Sequence, residues 1–237
     1  MDRTVSVTAL RCRTSDRTPG ASQGAEALAL ALDADARVIG TPEHRIANWD
    51  ADLRDSKACI ERAGEIVGEA LSEGRFPVLT SSDCSICLST FSAVVKHVPD
   101  VRVVWFDAHG DSNTPETTPS GFLGGMCLGA SVGLWDSGFA PALAPERVYG
   151  VGIRDLDPGE WAPQPLGDDR SGPFYVHLDL DVLDPSIMPA QFAVPGGLGL
   201  EELRGVLASL ENVVGVEVTA FEGGSVEDMA SLVRELL

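Results

Sequence analysis

Two short stretches of the chain carry acidic and imidazole side chains at a spacing that could bind metal ions. The first is DAHGD, in which Asp107, His109 and Asp111 alternate with small residues. The second is HLDLD, which carries Asp179 and Asp181. Alternate residues of an extended segment face the same side, so each stretch predicts ligands directed at one place. Four carboxylates that converge repel one another, and bound cations would offset this repulsion.

The types of these side chains indicate which ions they would bind. Carboxylate and imidazole ligands suit borderline divalent ions such as Mn²⁺, Fe²⁺ or Zn²⁺, and the excess of carboxylates favours Mn²⁺. The set is large enough for two ions that share carboxylates. Two such ions lower the pKa of bound water and can hold a bridging hydroxide at neutral pH. The alternative is that the acids only cap helices and turns, but both motifs end a buried strand, which favours a metal site.

A second feature is the pair Cys84 and Cys87 in the stretch SSDCSIC. Their spacing leaves three interpretations open: a redox pair at a strand-to-helix junction, half of a zinc site, or one thiol with another role. The chain has five cysteines. This odd number does not indicate a disulfide framework.

Strand patterns alternate with helical patterns along the chain. Strands are predicted at residues 5–10 and 76–80 and in the stretches that begin VRVVWF, RVYGV, PFYVH and NVVGV. Helices are predicted over residues 21–32, 52–73, 85–97, 200–210 and 226–237. This alternation predicts an α/β protein with a mostly parallel sheet, in which ligands bind beyond the carboxyl ends of the strands. The polar motifs fall at those ends, and residues 110–129 form a loop too long to be a simple connection.

The composition excludes several classes of function. The chain has 36 acidic and 17 basic residues and a net charge of −19, which argues against a nucleic-acid or anionic-membrane partner. No apolar run approaches the ~18 residues of a membrane helix, and the N-terminus lacks the hydrophobic segment of a signal peptide. We therefore expect a cytoplasmic protein with a small-molecule substrate. Its 237 residues predict one domain over residues 1–237.

Four segments together resemble the ureohydrolase family, which includes arginases and agmatinases. They are DAHGDSNTPETTPSG, GIRDLDPGE, HLDLDVLDPSIMPA and GVEV, and the resemblance covers nearly the whole chain. It implies a three-layer α/β/α fold and a dimanganese site that hydrolyses a guanidino-type C–N bond. Asp107 and Asp179 would bridge the two ions, Asp111 would bind one ion, and His109 and Asp181 would bind the other. Family members are often trimers or hexamers, which allows a homo-oligomer here.

The resemblance also implies residues that bind the substrate. Asn113 and Ser120 match positions that hold an α-carboxylate, and Asp157 matches one that holds an α-amino group. Glu217 resembles the glutamate that orients the guanidino group. Asp111 would hydrogen-bond the nucleophile and pass a proton to the leaving amine, so Asp111 and Glu217 are the predicted catalytic residues. Together these matches favour an amino acid that resembles arginine.

The chain departs from the family at several positions, and two of them bear most on the chemistry. Cys84 stands where the family has the histidine of a Gly-Gly-Asp-His-Ser motif, and it is the predicted sixth metal ligand. Gly124 stands where arginases have a proton-shuttling histidine. A thiolate adds negative charge, which should weaken the metals as Lewis acids and suit a substrate less basic than a guanidinium.

The branch of the family that hydrolyses Nω-hydroxy-L-arginine to ornithine and hydroxyurea is similar in these respects. Two other functions stay open: hydrolysis of another guanidino or formimino compound such as arginine, agmatine or a guanidino acid, and a catalytically impaired metal- or ligand-binding homologue. The redox interpretation leaves the aspartate and histidine ligands unexplained. We expect Cys87 and His177 to be packing residues.

Overall fold

The computed structural model describes residues 3–237, which form an eight-stranded sheet flanked by helices. The strands are β1 Val5–Leu10, β2 Arg37–Ile39, β3 Phe76–Thr80, β4 Arg102–Phe106, β5 Val148–Val151, β6 Gln164–Pro165, β7 Phe174–Asp179 and β8 Val213–Thr219. Their order in the sheet is β2-β1-β3-β8-β7-β4-β5-β6. Every neighbouring pair is parallel. The predicted α/β class is confirmed.

The helices cover both faces of this sheet. They are α1 Gly20–Leu32, α2 Trp49–Ser72, α3 Cys87–His97, α4 Cys127–Ser131, α5 Leu200–Ala208 and α6 Val226–Arg234. One apolar core joins the sheet to α1, α5 and α6. A second core joins the opposite face to α2, α3 and α4. The predicted three-layer α/β/α arrangement is therefore confirmed.

Hydrophobic spacing explains why these segments form these elements. In α2, Ile60, Ala63, Ile66, Val67 and Ala70 recur at helical spacing, and all five are buried. The central strand β7 is buried at every position. The sequence of β7 is a nearly continuous apolar run because helices cover both faces of a parallel sheet.

The two edge strands were not predicted from the sequence. Strand β2 has three residues and β6 has two, and both are mostly exposed. Such short segments carry too few residues for a period of two to be recognised. The long loop at residues 110–129 also differs from its prediction, because it ends in a 3₁₀ turn at Gly124–Met126 that leads directly into α4.

The cysteines form one disulfide, between Cys12 and Cys59. The odd number of cysteines did not indicate a disulfide framework, and the structure nevertheless pairs these two, which lie 47 residues apart. The bond joins the chain just after β1 to the middle of α2. Cys84 and Cys87 are free, buried thiols with different neighbours, since Cys84 contacts Asp179 and Cys87 contacts Ser131. These contacts do not support a redox pair.

Within residues 3–237, none of the helices combines the length and the apolar character that a membrane span would need.

Candidate metal and substrate site

The candidate site lies at the carboxyl edge of the sheet, where five neighbouring strands end. Strands β3, β8, β7, β4 and β5 are adjacent, so the residues that follow them meet in one place. They line a cavity of about 290 Å³. This is the position at which open parallel sheets bind ligands.

Asp107, His109 and Asp181 form one compact group of metal-ligand atoms. The Nδ1 atom of His109 lies 3.0 Å from Oδ2 of Asp181 and 3.3 Å from Oδ1 of Asp107. Backbone amides orient both carboxylates. The amide of His109 donates to Asp107 at 2.6 Å, and that of Ala108 donates to Asp181 at 3.0 Å.

Cys84 joins this cluster from the turn that follows β3. Its Sγ atom donates to Oδ2 of Asp179 at 2.9 Å and lies 3.2 Å from Oγ1 of Thr219. Asp179 also accepts from the amide of Asp181 at 2.8 Å. The structure therefore brings a thiol to the same carboxylate that the sequence predicts as a bridging ligand.

Asp111 completes the acidic wall of the cavity. Its backbone has φ of 48°, a left-handed conformation that aspartate tolerates better than most residues. The side chain is buried. The six predicted metal ligands, namely Cys84, Asp107, His109, Asp111, Asp179 and Asp181, thus all line one cavity.

Without cations, the acidic groups of this cluster have raised pKa values, which favour their protonated forms. Burial, and then the charge of Asp181, raises the pKa of Asp179 to about 7. Burial also raises the pKa of Asp107, Asp111 and Asp181, with neighbouring carboxylates adding to the effect. The pKa of the Cys84 thiol is raised by burial and then by Asp179. Divalent cations would favour the charged forms, because an opposite charge at short range lowers the pKa of an acid.

The donors fit a metal centre in one further respect. Oδ2 of Asp107 is buried and has no hydrogen-bond partner, although buried polar atoms are normally paired. Burial opposes the charged form of His109, but hydrogen bonds to Asp107 and Asp181 raise its pKa to about 12. The protonated imidazole of His109 thus carries a positive charge beside the carboxylates, where a bound divalent ion would otherwise provide it.

A second group of side chains that line the cavity contains Asn113 and Asp157. Nδ2 of Asn113 donates to Oδ2 of Asp157 at 2.9 Å. Glu160 accepts from the amide of Asp157 and from that of Ser112, the residue before Asn113, each at 2.9 Å. Oδ1 of Asn113 is buried and unpaired. Three predicted substrate residues, Asn113, Ser120 and Asp157, therefore line the cavity.

Three charged cavity residues were missed in the sequence. Asp16 and Arg17 follow β1, and Glu222 follows β8. The guanidinium of Arg17 lies 4.7 Å from the centre of the Phe122 ring, and Nη2 donates to the carbonyl oxygen of Ser120 at 3.3 Å. The sequence did contain an indication of these three residues, because polar residues that follow β1 and β8 lie at the same edge of the sheet as the other motifs.

Glu217 does not lie where the sequence predicts it. It is fully buried and is not among the residues that line the cavity. In the sheet Glu217 pairs with His177, two residues before the carboxyl end of β7. Its carboxylate accepts from Tyr175 at 3.0 Å and lies 2.6 Å from Nδ1 of His177. This position corrects the prediction that Glu217 contacts the substrate.

Gly124 lines the cavity beside Asp83 and Phe122. A Cβ atom at this position would lie 2.8 Å from Oδ2 of Asp83 and 2.5 Å from the Phe122 ring. The surroundings therefore exclude the side chain of a histidine here without rearrangement.

Comparison with known proteins identifies the class that this fold and site define. The sequence model described as the arginase family matches residues 4–167 and 164–223. The chain belongs to the arginase family, and it is a hydrolase that acts on a non-peptide C–N bond.

Individual relatives agree with this assignment. The chain is 34% identical over 230 residues to the N(omega)-hydroxy-L-arginine amidinohydrolase of Streptomyces lavendulae, covering 87% of this chain and 84% of the relative. It is 34% identical over 200 residues to the arginase of Bacillus caldovelox, covering 69% of this chain and 67% of that protein. The solved structure of the Bacillus caldovelox arginase matches with a TM-score of 0.84 at 26% identity, covering 99% of this chain and 98% of that one.

Proposed function

We propose that this protein hydrolyses the guanidino-type C–N bond of an arginine-like amino acid, with Nω-hydroxy-L-arginine as substrate and ornithine and hydroxyurea as products. The observation that carries this proposal is the Cys84 thiol within the carboxylate cluster, 2.9 Å from Asp179. The similarity to the Streptomyces lavendulae amidinohydrolase supports it.

The ligand set is suited to two divalent ions, and its excess of carboxylates favours Mn²⁺. Asp107 and Asp179 would be shared, Cys84 and Asp111 would hold one ion, and His109 and Asp181 the other. Bound there, the ions would lower the pKa of water and so supply a hydroxide nucleophile at neutral pH. Asp111 would accept a hydrogen bond from the attacking water and carry a proton to the leaving amine.

The charge of the cluster explains the choice of substrate. A thiolate in place of a neutral imidazole adds one negative charge beside the ions and makes them weaker Lewis acids. An N-hydroxyguanidine is less basic than a guanidine, so its carbon is more often uncharged at neutral pH and easier to attack. Cys84 thus matches weaker metals to a more reactive substrate.

The group that contains Asn113 and Asp157 is suited to the amino-acid end of the substrate. Asp157 accepts hydrogen bonds from an α-ammonium group, and the unpaired acceptor Oδ1 of Asn113 beside it does the same, in place of the α-carboxylate contact that the resemblance implies for Asn113. Arg17, beside Ser120, supplies a positive charge for an α-carboxylate. These contacts favour amino acids over amines that lack the carboxylate.

The test is a turnover assay of the metal-loaded protein with Nω-hydroxy-L-arginine, L-arginine, agmatine and a formimino amino acid. We expect hydroxyurea and ornithine from the first compound, with kcat/KM at least about tenfold above that for L-arginine. Two bound ions without hydrolysis of any compound would instead indicate a ligand-binding homologue. Gly124, where arginases have a proton-shuttling histidine, is the feature that favours this second candidate.

Matched cysteine variants test the role of the thiol. Cys84→Ser is expected to lower metal affinity at least about tenfold, because the oxygen of serine is a poorer ligand than a thiolate for these ions. Cys87→Ser is the control, since Cys87 contacts Ser131 in the apolar core. Equal metal contents in the two variants would contradict a ligand role for Cys84.

A further inference from the structure

His177 lies in a position that packing alone does not explain. It is on β7, two residues before Asp179, so both side chains are on the same face of the sheet. Its ring is fully buried and stacks on Trp105 with 3.6 Å between ring centres and 2° between planes. An imidazole buried in this way needs partners for two polar nitrogens.

One of these nitrogens has a strong partner. Nδ1 lies 2.6 Å from Oε1 of Glu217, and Oε2 of the same carboxylate accepts from Tyr175 at 3.0 Å. A carboxylate that accepts from Nδ1–H fixes the ring orientation and the tautomer, and it leaves a lone pair on Nε2.

The other nitrogen, Nε2, is left without a partner in a ring that lies close to the metal cluster. Nε2 of His177 is buried and has no hydrogen-bond partner. A ring nitrogen of His177 lies within 4.8 Å of both Sγ of Cys84 and a carboxylate oxygen of Asp107, and these three atoms form a group that could hold one ion; Nε2 is the nitrogen that is free to bind it, because Nδ1 faces Glu217. Ligand bonds of about 2.0–2.3 Å place donors of one ion up to roughly 4 Å apart, so small side-chain shifts are enough to bring all three atoms around one ion.

We propose that His177 is a ligand of the ion on the Cys84 side, oriented by Glu217. This inference rests on the proposed metal pair and adds a ligand to it. A cysteine side chain is shorter than a histidine, and the imidazole missing at position 84 is supplied from β7 instead. Glu217 then has a defined role as a positioning residue, because a carboxylate hydrogen-bonded to a ligating histidine is a common second element of metal sites.

The direct test counts imidazole ligands by X-ray absorption spectroscopy of the protein loaded with two equivalents of Zn²⁺ or Mn²⁺. The expected result for the wild type is two imidazoles per ion pair, from His109 and His177. In His177→Phe, which keeps a flat ring against Trp105, we expect one imidazole. A wild-type count of one overturns the inference, whether or not any variant folds.

Metal affinity gives a second readout that a packing role would not change. Glu217→Gln is expected to lower the affinity of one of the two ions about 10–100-fold, measured by competition with a chelator. His97→Ala is the matched control, because this histidine lies at the end of α3 and bonds the carbonyl of Ala93. Equal affinities for wild type and Glu217→Gln would contradict the positioning role.

The possible results of these experiments distinguish a failure of this inference from a failure of the proposed function. A wild type with two imidazoles that hydrolyses none of the four compounds retains the ligand assignment and refutes the substrate assignment. A wild type that releases hydroxyurea with one imidazole retains the function and refutes the role of His177. A protein that binds no divalent ion refutes both.

Discussion

At the scale of single residues, Arg17 brings a positive charge into a cavity whose other charged side chains are mostly acidic. Its guanidinium stacks on Phe122 and donates to the carbonyl of Ser120. The stacking fixes the planar group without using all of its donors. An anionic group of the substrate can therefore bind Arg17 while its cationic groups lie near Asp157.

Replacing Arg17 tests this division of charge. Arg17→Gln should lower kcat/KM for an amino-acid substrate roughly 10–100-fold, because a hydrogen bond to a charged group contributes about 1.5–3 kcal/mol. The value for a decarboxylated substrate such as agmatine should change little. Both values come from steady-state kinetics.

Arg11→Gln is the control for Arg17, since Arg11 pairs with Glu26 and does not line the cavity. An equal loss for both substrates in Arg17→Gln would show that Arg17 supports the cavity wall and does not bind the carboxylate.

At the scale of secondary-structure elements, α1 packs very closely against the chain that follows β8. A Cβ atom on Gly24 would lie 1.6 Å from the carbonyl oxygen of Phe221, whereas one on Gly205 in α5 would meet nothing within 4 Å. Glu222 follows Phe221 and lines the cavity. The position of α1 therefore affects the position of Glu222 in the wall of the cavity.

The two helical glycines give a matched pair of alanine substitutions. Gly24→Ala should destabilise the protein by about 1–3 kcal/mol or more, because the backbone must move to admit a methyl group. Gly205→Ala should stabilise it by about 0.5–1 kcal/mol through its higher helix propensity. Denaturant unfolding measures both changes, and a Gly24→Ala protein as stable as the wild type would contradict the close contact.

The sequence predicted the long elements and the candidate ligands of the DAHGD motif, because both produce periodic patterns over several residues. Strand β7 and helix α2 show this, and so do the alternating acids of DAHGD. The Cys12–Cys59 disulfide could not be predicted, since the two cysteines lie 47 residues apart and meet only when α2 packs on the sheet.

Glu217 and His177 show a further reason why the sequence was insufficient. A motif match identifies the position of Glu217 in the chain, but the depth of its side chain depends on strand register. Glu217 pairs with His177 across the sheet, and both side chains are fully buried and do not line the cavity. The register also creates the contact that makes His177 a candidate ligand, although the sequence alone favoured packing.

At the scale of the whole molecule, the chain has a net charge of −19, and part of its acidic excess consists of side chains that line the cavity. Burial raises the pKa of Glu222 to about 7, and the charges of Asp179, Asp16 and Asp181 add to this effect. Burial, followed by the charge of Asp83, raises the pKa of Asp16 to about 6. These residues were not predicted as ligands, yet they respond to the same acidic surroundings.

The raised pKa of Glu222 predicts how stability depends on pH in the metal-free protein. The folded state binds this proton more tightly than the unfolded state, so the contribution is present in acid and is lost as pH rises towards 7 and above. Glu222→Gln should avoid this loss. Because the carboxylate is partly exposed, solvent screening reduces the effect to about 1 kcal/mol, or roughly 2–4 °C at this chain length.

Thermal unfolding at pH 5 and pH 8 measures this difference. We expect Glu222→Gln to have a higher Tm than the wild type at pH 8 and no such advantage at pH 5. Glu61→Gln, on the exposed surface of α2, is the control. An advantage of the same size at both values would rule out ionisation of Glu222 as the cause.

The two edge strands have a consequence for how copies of this chain can associate. Strand β2 has three residues, and β6 has two, one of which is Pro165. Proline lacks a backbone donor, and a short edge offers few groups to an incoming strand. The sheet is thus protected from lengthening by strand addition, which is the route to fibrils. Copies that do associate are expected to meet through helices and loops, away from the ladder.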